Sequence, residues 1–153
     1  MGPRKRFPRA LKPDRVGKYP AVSFVGGGYV WDAVLEYRVW CCTAAGAPDE
    51  DDGNDYYFAF ATYPEARRLS SRFPGADEPI ALILQLEYID EPRNGKYIHI
   101  KRRRVTEWPI EFLSRPRRNR STIPNFLSST APPTRLEVLR GQAKSTRQRG
   151  SPG

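Results

Sequence analysis

Cysteine is nearly missing from this chain: Cys41 and Cys42, adjacent in sequence, are the only two in 153 residues. Neighbours on a strand point to opposite faces, so these thiols do not reach disulfide geometry with each other. Histidine is scarcer still, with His99 alone. Two thiols and one imidazole fall short of a structural zinc site, and no metal is expected. This cysteine usage fits a reducing compartment, and the expected location is the cytoplasm. No stretch approaches the roughly 18–20 apolar residues of a membrane span. The basic N-terminus is not followed by the apolar segment of a secretory signal. Also missing are a Walker A loop, a GxGxxG loop, a GxSxG elbow and an HExxH pair. Neither cysteine has a sequence neighbour that lowers a thiol pKa, so a cysteine nucleophile is not indicated.

Positive charge is what the chain has in excess: 26 Lys and Arg against 17 Asp and Glu, net +9. It is unevenly placed. Residues 1–20 hold seven basic residues and one acid, and residues 115–153 hold nine and one, which leaves residues 21–114 at −5. Proline and basic residues mark 1–20 as an extended arm, 21–114 as the single folded domain, and 115–153 as a basic, largely disordered tail. Such arms attract nucleic acid, through phosphate neutralisation, or acidic membranes, without sequence preference, or serve as solvated extensions.

Hydrophobic periodicity organises the middle of the chain. Residues 21–25 are placed as an edge strand, interrupted by Gly26, Gly27 and Gly28. Residues 34–42 alternate, with Val34, Glu36, Arg38 and Trp40 on one face and Leu35, Tyr37, Val39 and Cys41 on the other, which is taken as the core face. An acidic surface loop spans 43–55. A second strand over 56–61 then runs almost directly into a helix over 63–72. Thr62 and Glu65 have the spacing of a capping box, and Pro64 sits in the first turn, where its missing N–H costs little. Ala66, Leu69 and Phe73 face the sheet, and Pro74 and Gly75 end the helix. Residues 80–89 read as one central strand covered on both faces. Asn94 and Gly95 mark a hairpin turn into a partner strand over 96–104. Residues 105–113 form a further strand or irregular segment with Trp108 and Phe112 buried. One short docked turn is expected over 123–127. The fold class is α+β: a mostly antiparallel sheet of four or five strands with one principal helix, flanked by flexible basic arms.

Several side chains carry possible chemistry. Glu36 and Arg38 share a strand face, either as a solvent-facing ion pair or as a cleft floor where Arg38 grips a phosphate or carboxylate. Tyr56, Tyr57 and Tyr63 surround the helix start, where a tyrosine can act as a general acid or simply pack. Glu107 is a base or an exposed strand carboxylate. His99 alternates with Ile98 and Ile100 and is placed on the solvent face. The run from Lys101 to Arg104 contacts phosphates or guards a sheet edge.

Glu36, Tyr37, Arg38, Val39 and Trp40, together with residues 57–66 and Thr106, Glu107, Trp108 and Pro109, resemble a group of small proteobacterial proteins labelled GCN5-related N-acetyltransferase. The likeness covers roughly residues 8–140. It implies acyl transfer from acetyl-CoA to a small-molecule or peptide amine. Glu107 or Glu36 would be the base, and Tyr57 would protonate the departing thiolate. Arg38, Thr62, Tyr63, Arg67 and Arg68 would hold the cofactor. The Q/R-x-x-G-x-G/A loop of that superfamily is absent, and Glu65 stands where its pyrophosphate would sit. A second resemblance is to ADP-ribosyltransferases, which use NAD: Arg38, Tyr57 or Thr62, and Glu107 fall in the chain order of their site. The third reading is a non-enzymatic basic adaptor whose arms bind nucleic acid.

Overall fold

A computed structural model describes residues 7–21 and 24–142 of the chain. Its centre is a four-stranded antiparallel sheet in the order β2-β1-β3-β6, where β1 is Ala33–Cys41, β2 Tyr56–Phe60, β3 Ile80–Gln85 and β6 Arg104–Pro109. Helix α1, Tyr63–Arg72, packs on one face through Ala66, Leu69 and Phe73. Its start follows from local chemistry. Thr62 is extended (φ −131°, ψ 152°), and its Oγ1 accepts from Glu65 N at 3.4 Å while donating to Glu65 Oε1 at 2.8 Å. A cap of this type stabilises a helix by about 1 kcal/mol. Tyr37, Val39, Cys41, Ala81, Ile83 and Trp108 form the core beneath the helix. Burial there pushes the Tyr37 phenol far above its ordinary pKa.

A bulge in β1 decides which residues reach that core. Val34 pairs with Ile83 and Glu36 with Leu82, leaving Leu35 as the extra residue. Val34 therefore joins Tyr37 under the helix, and Leu35 joins Leu82 and Leu84 on the opposite face. Strict alternation assigns these two residues the other way round, because one inserted residue reverses the period-two rule beyond it.

The opposite face is not open either. Ala10 N donates to Ala61 O and Leu11 N to Val34 O, both at 2.8 Å, which anchors the N-terminal segment beside β1. The chain rejoins the sheet at Phe24, where Glu107 N donates to Phe24 O and Gly26 N donates to Glu107 O. The edge strand expected over 21–25 is thus a single parallel bridge at Val25, and it covers the outer edge of β6. Residues 7–21 are part of the fold rather than a flexible arm.

Two further expectations are corrected. The strand read over 80–89 breaks at Leu86 and Glu87, and the chain turns into a separate hairpin of β4 (Tyr88–Arg93) and β5 (Lys96–Ile100), joined through Asn94 and Gly95. Residues 115–142 are folded, not a disordered tail. Helices α2 (Thr122–Leu127) and α3 (Arg135–Leu139) bury Ile123, Phe126 and Leu139 against Val30, Tyr88 and Ile89 in a second core. The linker back to this core runs through Gly26, Gly27 and Gly28, all at positive φ. A Cβ on Gly28 would stand 2.4 Å from Gln85 Nε2, so the Gln85 amide, which donates to Gly27 O and Val30 O, would have to shift. Among the described residues no helix is long and apolar enough to cross a membrane.

Candidate functional site

Four of the residues singled out in the sequence meet on the sheet face opposite α1. Glu36 and Arg38 come from β1, Tyr57 from β2 and Glu107 from β6. Arg38 is fully buried and every nitrogen of its guanidinium is partnered: Nε donates to Glu36 Oε2 at 2.7 Å, one terminal nitrogen to Glu107 Oε2 at 2.8 Å, and the other to Pro20 O at 2.9 Å. The Tyr57 ring lies 4.3 Å from the guanidinium carbon, and Trp40 Nε1 donates to Glu107 Oε2 at 3.0 Å. The N-terminal segment closes the cluster from above. Gly17 N donates to Glu36 Oε1 at 2.8 Å, and Tyr57 Oη donates to Tyr19 O at 3.0 Å. Burial raises the Tyr57 pKa, and the Arg38 charge partly opposes it.

Neither Glu36, at 0 % exposure, nor Glu107, at 8 %, is the solvent-facing carboxylate that alternation along a surface strand implies. The physical reason is the crossing segment, which turns a solvent face into an interior one. Chemically, the cluster is an ion triad with two carboxylates and one guanidinium. With residues 12–21 in place, both oxygens of Glu36 and Oε2 of Glu107 accept from partners already present. Its evident work is to fasten the N-terminal segment to the sheet.

The remaining sequence candidates lie elsewhere. Thr62 and Tyr63 open α1, and Tyr63 packs edge-on against Phe7 and Tyr37. Arg67 is exposed and stands 3.9 Å from Glu78, and Arg68 is exposed. The Glu65 carboxylate and the Thr62 hydroxyl are engaged with each other at the helix start, so this end presents a negative charge. Beside it is a pocket of about 240 Å3 whose lining includes Tyr63, Glu78 and Glu111. The β1–β2 ladder is unbroken from Cys41↔Tyr56 to Tyr37↔Phe60, and no splayed strand pair opens next to Tyr63.

Sequence reasoning overlooked a second cavity. A cleft of about 750 Å3 lies between residues 114–121 and helices α2 and α3. Its lining includes Arg117, Asn119, Asn125 and Arg135 over a floor of Phe126 and Leu139, and among the described residues it contains no Asp or Glu. Trp31 holds the rim: its Nε1 donates to Arg115 O at 3.0 Å, and Arg118 N donates to its carbonyl at 2.9 Å. Arg117 lies over the Trp31 ring at 5.1 Å. Arg135 donates to Phe126 O at 2.8 Å and lies 4.7 Å over that ring. Asn119 Oδ1 accepts from Ser121 N, Ser121 Oγ and Thr122 Oγ1, which leaves its amide nitrogen as the unused group, a donor. The signal that could have found this cleft was present in two i, i+3 apolar pairs, Ile123 with Phe126 and Leu136 with Leu139.

Two charged networks surround these sites. Arg118 bridges Asp32 and Glu87 at 2.7 Å each, and Glu87 Oε1 meets His99 Nε2 at 2.5 Å. His99 is therefore half-buried and paired, not on the solvent face. Arg104 turns inward from the basic run, donates to Gln85 Oε1 at 2.9 Å and stacks 4.0 Å over Tyr88, while Lys101, Arg102 and Arg103 stay exposed. Burial lowers the pKa of Arg104 and of Arg115, the latter lowered further by neighbouring Arg140. Both thiols are free and burial pushes each upward, away from thiolate character. Among the described residues no three or more His, Cys, Asp or Glu side chains gather to hold a metal ion. Comparison with protein-family models, with curated proteins and with solved structures finds no match to this chain.

Proposed function

We propose that this protein is a nucleic-acid-binding module that grips phosphates through its folded basic segment, residues 115–142. One observation carries this reading. The segment holds six arginines and one carboxylate, and among the described residues only Arg118 is paired with acids. Arg117, Arg135 and Arg140 instead lie over aromatic rings. Stacking by the face does not itself use the edge N–H groups, and edge N–H groups are what phosphate recognition uses. Residues 143–153 add Lys144, Arg147 and Arg149 in sequence and no acid.

The test is fluorescence anisotropy with a short single-stranded RNA or DNA at several salt concentrations. If Arg117, Arg120, Arg135 and Arg140 each neutralise one phosphate, the log–log salt slope is about −3, roughly a fiftyfold loss of affinity from about 50 to about 200 mM salt. Absence of binding at the lowest salt, or binding indifferent to salt, would contradict the proposal.

A second reading is favoured by the meeting of Arg38, Tyr57 and Glu107: a NAD-using transferase. It requires residues 12–21 to leave the sheet, because Gly17, Tyr19 and Pro20 occupy the polar atoms of the cluster. A saturable thermal shift with NAD, lost in Glu107→Gln, would support it. Acyl transfer from acetyl-CoA rests on the sequence resemblance, and a pyrophosphate at the start of α1 would face Glu65.

A further inference from the structure

We infer that the cleft between residues 114–121 and helices α2 and α3 is the seat of one nucleoside phosphate unit, either a free nucleotide or the phosphorylated end of a strand. The inference rests on the nucleic-acid reading above and locates its most specific contact. A cleft of about 750 Å3 has the size of small-molecule sites. Its chemistry is one-sided. The guanidinium groups of Arg117 and Arg135 and the spare amide nitrogen of Asn119 are all donors, and among the described residues no lining carboxylate opposes an anion. Phosphate, an acceptor with up to two negative charges, is the group that this set satisfies. The floor of Phe126 and Leu139 and the walls of Pro132 and Val138 are apolar and suit the flat face of a base. Asn125 offers both a donor and an acceptor for its edge.

The parts are also held in place before any ligand arrives. Trp31 pins both ends of the Arg115 to Arg118 stretch through its indole and carbonyl. A Cβ on Gly141 would lie 2.7 Å from Ser114 O, which shows how closely the end of α3 meets the opposite rim. Preorganised donors lose less freedom on binding than donors on mobile side chains.

Titration calorimetry on the full chain, with a nucleoside monophosphate, the matching nucleoside and inorganic phosphate, tests the inference. The monophosphate should bind at one site per chain, and roughly tenfold or more tightly than either fragment. Arg117→Ala should weaken it by about tenfold or more. Asn119→Asp is the sharper variant: it keeps the oxygen that caps Ser121 and Thr122 but replaces the donor with a negative charge, so the fold survives while phosphate is repelled. Paired oligonucleotides with and without a terminal phosphate distinguish a strand end from a free nucleotide. Monophosphate binding that Arg117→Ala and Asn119→Asp leave unchanged would overturn the inference. So would its absence while salt-dependent oligonucleotide binding persists, and that outcome leaves the proposed function standing. Loss of both would remove both.

Discussion

Replacing Arg38 with methionine should destabilise the protein by about 3–5 kcal/mol, the cost of stranding a buried carboxylate whose partner is removed. Glu36 is fully buried and receives only Arg38 Nε and Gly17 N, so without the guanidinium its charge has one backbone donor left. Glu107 keeps the Trp40 indole but loses its cation. The loss also frees Pro20 O, and with it the hold on the N-terminal segment. Urea unfolding of the full chain reads the effect directly. Arg67→Ala is the matched control: its side chain is 56 % exposed and 3.9 Å from Glu78, so a change within about 0.5 kcal/mol is expected. Replacing Glu36, Arg38 and Glu107 together with apolar residues of similar volume should recover much of the loss, since a buried triad is weak as a source of stability and strong only as a penalty when broken. An Arg38→Met protein as stable as the parent would show that the triad is not closed as described.

Gly75→Ala should cost about 2–5 kcal/mol, for a different reason. Gly75 has φ +76°, a conformation that costs an L-residue about 1–2 kcal/mol. Its added Cβ would lie 2.2 Å from Ala47 N and 2.7 Å from Ala47 Cα. Those are backbone atoms, and no rotamer change relieves the overlap, which adds about 1–3 kcal/mol. The position matters because Gly75 O accepts from Cys42 N at 2.9 Å and ties the end of α1 to the end of β1. A fall of roughly 4–20 °C in the thermal midpoint is the expected reading. Gly95→Ala isolates the conformational part, since Gly95 has φ +80° with nothing within 4 Å of a Cβ. A Gly75→Ala midpoint equal to that of Gly95→Ala would contradict the close approach.

The parts of this fold that sequence reveals are those set by neighbours in the chain. Helix α1 runs Tyr63–Arg72 as the spacing of Thr62, Pro64, Glu65 and Pro74 dictates, and Asn94 and Gly95 turn the hairpin. What sequence hides is set by distant residues. The break at Leu86 and Glu87 is held from far away: Leu86 N donates to Asp32 Oδ2, and Glu87 reaches Arg118 and His99. Apolar residues before and after that break look like one strand. The bulge at Leu35 leaves no compositional mark, yet it reassigns two side chains to opposite faces. Glu36, Arg38 and Glu107 read as surface charges because nothing in an alternating strand announces that another segment crosses it. The resemblance to ADP-ribosyltransferases grouped Arg38, Tyr57 or Thr62, and Glu107; Arg38, Tyr57 and Glu107 meet in one cluster, whereas Thr62 caps α1. The basic residues of 115–142 were legible as charge, whereas their stacking on Trp31, Tyr29 and Phe126 depended on helices too short to stand without the second core.

Two tryptophan indoles report separately on the two halves of this account. Trp31 Nε1 donates to Arg115 O in the basic segment, and Trp40 Nε1 donates to Glu107 in the buried triad. Adding a short single-stranded oligonucleotide to nitrogen-labelled protein and following these two resonances tests where the ligand sits. Binding through residues 115–142 predicts a saturable shift of the Trp31 indole and of the amides over 114–142, with the Trp40 indole unmoved. A Trp40 shift with the Trp31 indole and those amides unchanged would contradict the account and return the functional site to Glu36, Arg38 and Glu107.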